Sequence, residues 1–229
     1  MAEMKVVVWN CSGLLSSTSA LEKVKFLQVC PSFDILILIE THHRNFQDIQ
    51  PHLHSFSTSF NFFHTEATSD DPYAGIVILV SNRLSLKSDS VLLPGRIINL
   101  RIENNREEFN LSAIYGYTGV RATPKGIEQF IGLLSASHTP SDNNIILEDF
   151  NFVDNHLDRV NKNVTGMNQR DSVLANRWIE FVSTLDLCDP FRVRNPCKRM
   201  FSYIHTQHGA KSRIDRVYMN EENSADIFQ

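Results

Sequence analysis

With 229 residues, 42% of them hydrophobic and 21% charged, the chain carries enough apolar material for a sizeable core and has neither a disordered nor a fibrous composition. A formal net charge of −4 excludes a general polycation, so any anionic partner has to be met by a local patch. The four cysteines, Cys11, Cys30, Cys188 and Cys197, form no C-x-x-C pair, which argues against a disulfide scaffold and against a zinc site, and fits a reducing compartment.

In chain order, 5-KVVVWN-10 reads as a short strand that stops at a polar residue. Lys5 is the only base before its apolar run, which is too short for a signal peptide, and no stretch approaches the roughly 20 apolar residues of a membrane helix. A helix is predicted from Thr18 or Ser19, with Leu21, Val24, Phe26 and Leu27 at helical spacing, up to Pro31. The run 34-DILILIET-41 has strand length and continuous apolar character, as in a strand covered on both faces, and it ends on Glu40. Further strands are predicted at 75–81, 95–103 and 108–117, and helices at 126–136 and 173–185. Between those helices, 145-IILEDFNF-152 turns from apolar residues directly into Glu148, Asp149, Phe150 and Asn151, and two short strands come later at 201–205 and 213–219. Many strands with few helices imply a layered β core with helices outside, not a simple alternating wind. No linker or repeat marks a boundary, so one domain over 1–229 is expected.

Five places share a pattern: an apolar strand stops and a polar group comes next. They are Asn10, Glu40, Tyr115, Asp149 with Asn151, and Asp215. Singly each is ordinary, since a strand-terminal Asn usually forms a turn and a lone Glu usually caps a surface. Together they present carboxylate and amide oxygens, hard donors suited to Mg²⁺, which commonly takes one or two protein carboxylates and leaves room for phosphate oxygens. Asp149 could then serve as general base toward an attacking water, with Asn151 orienting it, which is the chemistry of phosphoester hydrolysis. A second signal is basic. Between residues 192 and 216 lie Arg192, Arg194, Lys198, Arg199, Lys211, Arg213 and Arg216 against one acid, Asp215, with Phe201, Tyr203, His205 and His208 among them. In a chain of net charge −4 such a segment is expected to meet phosphates, with 192–200 and 204–212 as groove contacts.

In order along the chain these blocks resemble the exonuclease–endonuclease–phosphatase superfamily, and within it the apurinic-type endonuclease domain of LINE-like (non-LTR) retrotransposons. The block 6-VVVWNCSGL-14 is similar to the family's opening strand, 35-ILILIETH-42 to its L-x-E-T strand, 113-AIYGY-117 to its tyrosine strand and 148-EDFN-151 to its G-D-F-N motif. The stretch 154-DNHLDR-159 resembles the segment just beyond that motif in retrotransposon domains, 201-FSY-203 an aromatic–Thr–aromatic motif, and 212-SRIDRVY-218 the S-x-I-D-x-[IV] strand. The resemblance implies a four-layered α/β sandwich, two mixed β-sheets packed face to face with helices outside, and its final strand missing. It implies Mg²⁺ as cofactor, replaceable by Mn²⁺, held by Glu40 and Asn10. Tyr115 would reach the scissile phosphate, Asp149 would position or deprotonate water, Asn151 would contact phosphate, and Asp215 would be a further active-site acid. Ser202 would contact DNA, together with the basic residues of the 192–213 segment. The implied partners are DNA and a reverse-transcriptase region of a longer parent polyprotein, for a monomeric chain acting in the nucleus and away from membranes.

The sequence departs from the family pattern twice. Glu148 stands where glycine normally precedes the acid, and no S-D-H motif occurs in the chain. The family's histidine there stabilises charge on the phosphate, and losing one such donor typically costs about 10²–10³ in rate. Three readings stay open: a Mg²⁺-dependent endonuclease that nicks one strand to leave a 3′-hydroxyl, a catalytically disabled DNA-binding relative, and a phosphatase acting on an inositol phosphate or a phospholipid.

Overall fold

The computed structural model describes residues 4–14, 20–29, 32–160, 166–205 and 209–221. They divide into two compact units, 1–115 and 116–229.

The first unit begins with β1 (Val6–Asn10), α1 (Ala20–Val29), β2 (Ile35–Ile39) and α2 (Phe46–Leu53), followed by β3 (Phe60–Thr65) and β4 (Ile76–Ser81). These strands form a four-stranded mixed sheet in the order β1-β2-β4-β3, with β1 and β2 parallel and the other pairs antiparallel. The apolar run read as doubly covered is so: all five residues of β2 are buried. Leu36 and Leu38 share one face, where Leu14, Leu27, Ile49, Leu53, Val77 and Leu79 pack with them. Each fully buried aliphatic side chain contributes about 1.5–3 kcal/mol of transfer free energy, so this cluster pins the register of β2. The unit continues as an antiparallel meander, β5 (Ser85–Leu93), β6 (Ile97–Asn104) and β7 (Glu107–Tyr115).

The second unit contains α3 (Pro124–Ser137), β8 (Asn144–Asp149), β9 (Arg159–Val160), α4 (Gln169–Thr184), β10 (Leu187–Cys188), α5 (Pro190–Arg194), β11 (Tyr203–Ile204), β12 (Lys211–Ser212) and β13 (Asp215–Asn220). Strand β13 lies antiparallel between β8 and β10, and β9, β12 and β11 form a small antiparallel ribbon. Trp178 of α4 is fully buried and packs on Phe150, Phe181 and Tyr218, with ring centroids 4.8, 5.2 and 5.7 Å away.

Several elements differ from the sequence reading. Helix α3 starts at Pro124, not at 126, because Thr123 caps the Gly126 N–H and proline suits the first turn. Helix α4 starts at Gln169, four residues before the apolar pattern, because the Asn168 side chain accepts from the Asp171 N–H. Helix α2 is short and carries Pro51, which reads as a helix breaker, and β5 is largely exposed and lacks the alternation by which strands are read. The strand expected over 201–205 shrinks to Tyr203–Ile204, and the last one begins at Asp215, not at 213. The expected cap of α1 at Thr18 or Ser19 lies outside the described residues. No helix of the described residues is long and apolar enough to cross a membrane.

Candidate active site

In the first unit the parallel register sets Asn10 beside Ile39, so the ends of β1 and β2 lie together and Glu40 is the next residue on. Beyond them the chains stay joined: Cys11 N–H donates to Ile39 O at 2.9 Å, and Gly13 N–H to Glu40 O at 2.7 Å. The Asn10 amide oxygen accepts from Ser12 N–H at 2.9 Å, which fixes that side chain at the strand end. Glu40 takes the left-handed conformation, φ 54°, and His42 does too, φ 57°. Non-glycine residues take this conformation at a cost, and such strain clusters at functional sites. The Glu40 side chain keeps 22% of its surface exposed, with Oε1 3.5 Å from His42 Nε2. A carboxylate and an amide oxygen, hard in character and carried at the ends of neighbouring strands, fit a small hard cation that keeps most of its own water and phosphate ligands.

Tyr115 ends β7 and is buried. The Arg96 guanidinium covers its ring at 4.2 Å, donates to its carbonyl at 3.0 Å and is held in turn by Asp71 at 2.7 Å. Arg96 and Asp71 carry no motif and escape a reading of the sequence. They couple the tyrosine to a buried cation through an ion pair 25 residues apart.

In the second unit, Asp149 ends β8, and the antiparallel register places it directly opposite Asp215. The chain then turns back on itself. Asn151, at φ 56°, donates its N–H to Asp149 Oδ1 at 2.9 Å and its side-chain amide to Gly116 O at 3.0 Å. Gly116 N–H donates to Asp149 O at 2.7 Å. A Cβ on Gly116 would stand 2.4 Å from the Phe150 carbonyl oxygen, so glycine is required for this approach. Ser202 Oγ accepts from the N–H groups of Ile214 and Asp215 at 3.1 and 3.2 Å, which ties the serine to the strand carrying Asp215. Burial pushes the Asp215 carboxyl up, while its hydrogen bond with Ser202 and the Arg216 charge pull it back. Asn151 also lines a cleft of about 450 Å³ with Arg159, Asn168, Tyr203, His205 and Ser212. The structure thus brings Asp149, Asn151, Asp215 and Ser202 to one corner of the second unit. Nothing is described of the Glu148 side chain, and His208 lies outside the described residues.

The basic segment departs most from the reading. Arg213 is 2% exposed and pairs with Asp158 at 3.0 Å and with Asp189. Arg192 pairs with Asp158 as well and donates to the carbonyls of Asn195 and Lys198. Arg216, also buried, donates to Phe152 O at 2.7 Å, stands 3.5 Å from Asp154 and covers the Phe150 ring. Arg213, buried, and Arg192, half-buried, both expected to contact DNA, are therefore cations whose charge is spent on acids that lie outside the 192–216 window. Arg194, Lys198, Arg199 and Lys211 remain at the surface.

No protein-family model matches the chain. By sequence it is 30% identical, over 154 residues, to the Transposon TX1 uncharacterized 149 kDa protein of Xenopus laevis. That match covers 64% of this chain and 11% of the much longer transposon protein. By structure it is similar to the catalytic domain of Xenopus laevis APE2, with TM-score 0.74 at 18% identity, over 97% of this chain and 84% of that one. An AP endonuclease from Archaeoglobus fulgidus gives TM-score 0.74 at 14% identity, over 97% and 89%. The AP endonuclease LMAP from Leishmania major gives 0.73 at 15%, over 97% and 80%. Its multi-stranded sheets with helices around them are thus the α/β sandwich of the AP endonucleases, as the resemblance implied.

Proposed function

We propose that the chain is a divalent-metal-dependent DNA endonuclease domain of the exonuclease–endonuclease–phosphatase type, which nicks one strand and leaves a 3′-hydroxyl for a reverse transcriptase to extend. The observation that carries the reading is the corner formed by Asp149, Asn151 and Asp215. Two acids are paired across β8 and β13 at a strand end, and the Asn151 N–H is locked on one of them beside an open cleft that Asn151 lines. The AP endonuclease fold and the transposon relative support the substrate class.

In this reading Glu40 and Asn10 hold Mg²⁺, which would neutralise charge on the phosphate when bound. Asp149 takes the proton of the attacking water, as a buried carboxylate held two residues from the cleft-lining Asn151 is suited to do. Asn151 uses one of its two amide hydrogens on Gly116 O and keeps the other for a phosphate oxygen or the water. Asp215, its pKa raised by burial, is placed to share a proton at this corner. Tyr115 contributes toward the phosphate, under the influence of the Arg96 cation on its ring. Arg194, Lys198, Arg199, Lys211 and Ser202 contact the DNA backbone.

The test is nicking of supercoiled plasmid in Mg²⁺ by the whole chain and by Asp149→Ala. Loss of a general base is expected to lower the nicking rate by about 10²–10⁴, more than the loss of stability from removing the buried acceptor of the Asn151 N–H explains. A parent that is folded and retards DNA on a gel but never nicks it would overturn the catalytic reading in favour of a DNA-binding fold. Turnover of a soluble phosphomonoester without nicking would overturn the substrate class.

A further inference from the structure

Away from the groups assigned above, the first unit gathers His43, His64 and Glu66, and one ligand atom from each lies within 4.8 Å of the others. His43 stands in the segment after β2, His64 is the fifth residue of β3, and Glu66 comes directly after the end of β3. We propose that these three side chains bind a borderline-soft divalent cation of the Zn²⁺ class, with a fourth position left to water, at a site separate from Glu40 and Asn10.

Three features support the assignment. His43 is 4% exposed, and its Nδ1 is engaged 2.6 Å from the Thr41 hydroxyl, while its Nε2 is buried with no hydrogen-bond partner among the described residues. An imidazole with one nitrogen fixed by a hydroxyl and the other bare is the arrangement that orients a metal-ligating histidine. Leaving such an atom buried and unpaired is otherwise destabilising.

His64 is held flat against Phe46, with centroids 4.1 Å apart and planes 4° from parallel. Its Nδ1 sits 3.0 Å from Glu66 Oε1, yet no hydrogen bond forms to it. Two donors that meet without a hydrogen bond are what a shared ion would reconcile.

Two nitrogens and one carboxylate suit Zn²⁺, which takes such three-ligand sets with an open position. Tetrahedral ligands about 2.1 Å from one ion stand roughly 3.4 Å apart, so a cluster whose ligand atoms lie within 4.8 Å of one another closes by side-chain rotation, for which the 40%-exposed Glu66 side chain has room. Bound there, the ion would tie the segment after Glu40 to the end of β3.

The test uses the whole chain, stripped with a chelator. Zn²⁺ affinity is read by competition with a chromophoric chelator, and Co²⁺ loading by its visible absorption. One equivalent is expected, with a tetrahedral Co²⁺ spectrum. His64→Gln and Glu66→Gln, both at part-exposed sites, are expected to weaken binding by more than the roughly 10–100-fold that loss of an outer partner costs. Glu40→Gln is expected to leave it unchanged. The proposal is overturned if the two variants bind as the parent does, if the parent binds no Zn²⁺, or if binding disappears with Glu40→Gln instead.

Discussion

Glu40 in the first unit and Asp158 in the second are both acids that flank short strands, and they serve opposite ends. Glu40 keeps a fifth of its side chain in contact with solvent and sits in a strained left-handed conformation beside Asn10. Asp158 has no exposed surface and is hydrogen-bonded by Arg192 and twice by Arg213, while its own carbonyl accepts from Arg213 N–H at 2.8 Å. A carboxylate left open at a strand end is available for chemistry. A carboxylate enclosed by two guanidinium groups is committed to holding the chain together. The difference shows that the sign of a charge in a sequence says little about its use until its partners are known.

The largest effect is expected where that commitment is broken. Asp158→Ala leaves Arg213 and Arg192 without their shared acid, and removing one member of a buried pair typically costs about 3–5 kcal/mol. Denaturant unfolding of the variant should show a midpoint lowered accordingly. Glu40→Gln, by contrast, should stay within about 0.5 kcal/mol of the parent, as surface substitutions do. A mild loss in Asp158→Ala would show that Asp189 alone suffices for Arg213, and the contrast between the two acids would weaken.

A smaller effect is expected at Gly116, which lets the backbone of the Asp149–Asn151 corner come close. Gly116→Ala puts a methyl group 2.4 Å from the Phe150 carbonyl oxygen and 2.6 Å from its carbon, and backbone cannot yield as a side chain can. The forced shift should cost about 1–3 kcal/mol and disturb the hydrogen bond from Asn151 to Gly116 O. Calorimetry on the variant checks the first part; a nicking rate that falls further than its stability explains checks the second.

The same contrast explains which features were legible in the sequence. Strand-end groups were legible because a continuous apolar run such as Ile35–Ile39 can only be a covered strand, and the residue where it stops must lie at the sheet's edge. Asn10, Glu40, Asp149 and Asp215 were found in this way, and the structure puts each at or beside a strand terminus. The basic segment was misread because charge was summed over a window. Its acids, Asp154, Asp158 and Asp189, lie outside that window, up to 64 residues from the strand residues they meet. The His43–His64–Glu66 group was not legible either: no motif spacing joins residues that β-pairing brings together, and the cysteine pattern alone argued against zinc.

Asp154 gives a pH test of the enclosed charges. Burial by itself would raise its pKa, but Arg216, the Tyr218 phenol and Arg213 outweigh burial and hold it below the ordinary 3.8. A carboxyl depressed in the folded state contributes stability above its unfolded value and loses it as pH falls through the folded one. The parent should therefore lose stability as the pH drops below 3.8, and Asp154→Asn, less stable at neutral pH, should lose less over that acid range. Equal slopes for the two proteins in acid unfolding would mean that the Arg216 pair is not formed in solution.

The smallest effect concerns what remains of the basic surface. Lys198 and Arg199 are exposed, whereas Arg213 is enclosed. If the exposed pair meets DNA phosphates, each releases a counterion on binding, and log Kobs against log salt should flatten by about 0.9 for each residue replaced by alanine. Fluorescence anisotropy on a labelled duplex over a salt series measures this directly, and both variants should keep the parent's unfolding midpoint because neither residue is buried. An unchanged slope in Lys198→Ala and Arg199→Ala would move the DNA contact off the 192–200 segment altogether. The enclosed arginines could not take over, because Arg192 and Arg213 cannot leave Asp158 for a phosphate without exposing a buried acid, a larger penalty than one phosphate contact returns.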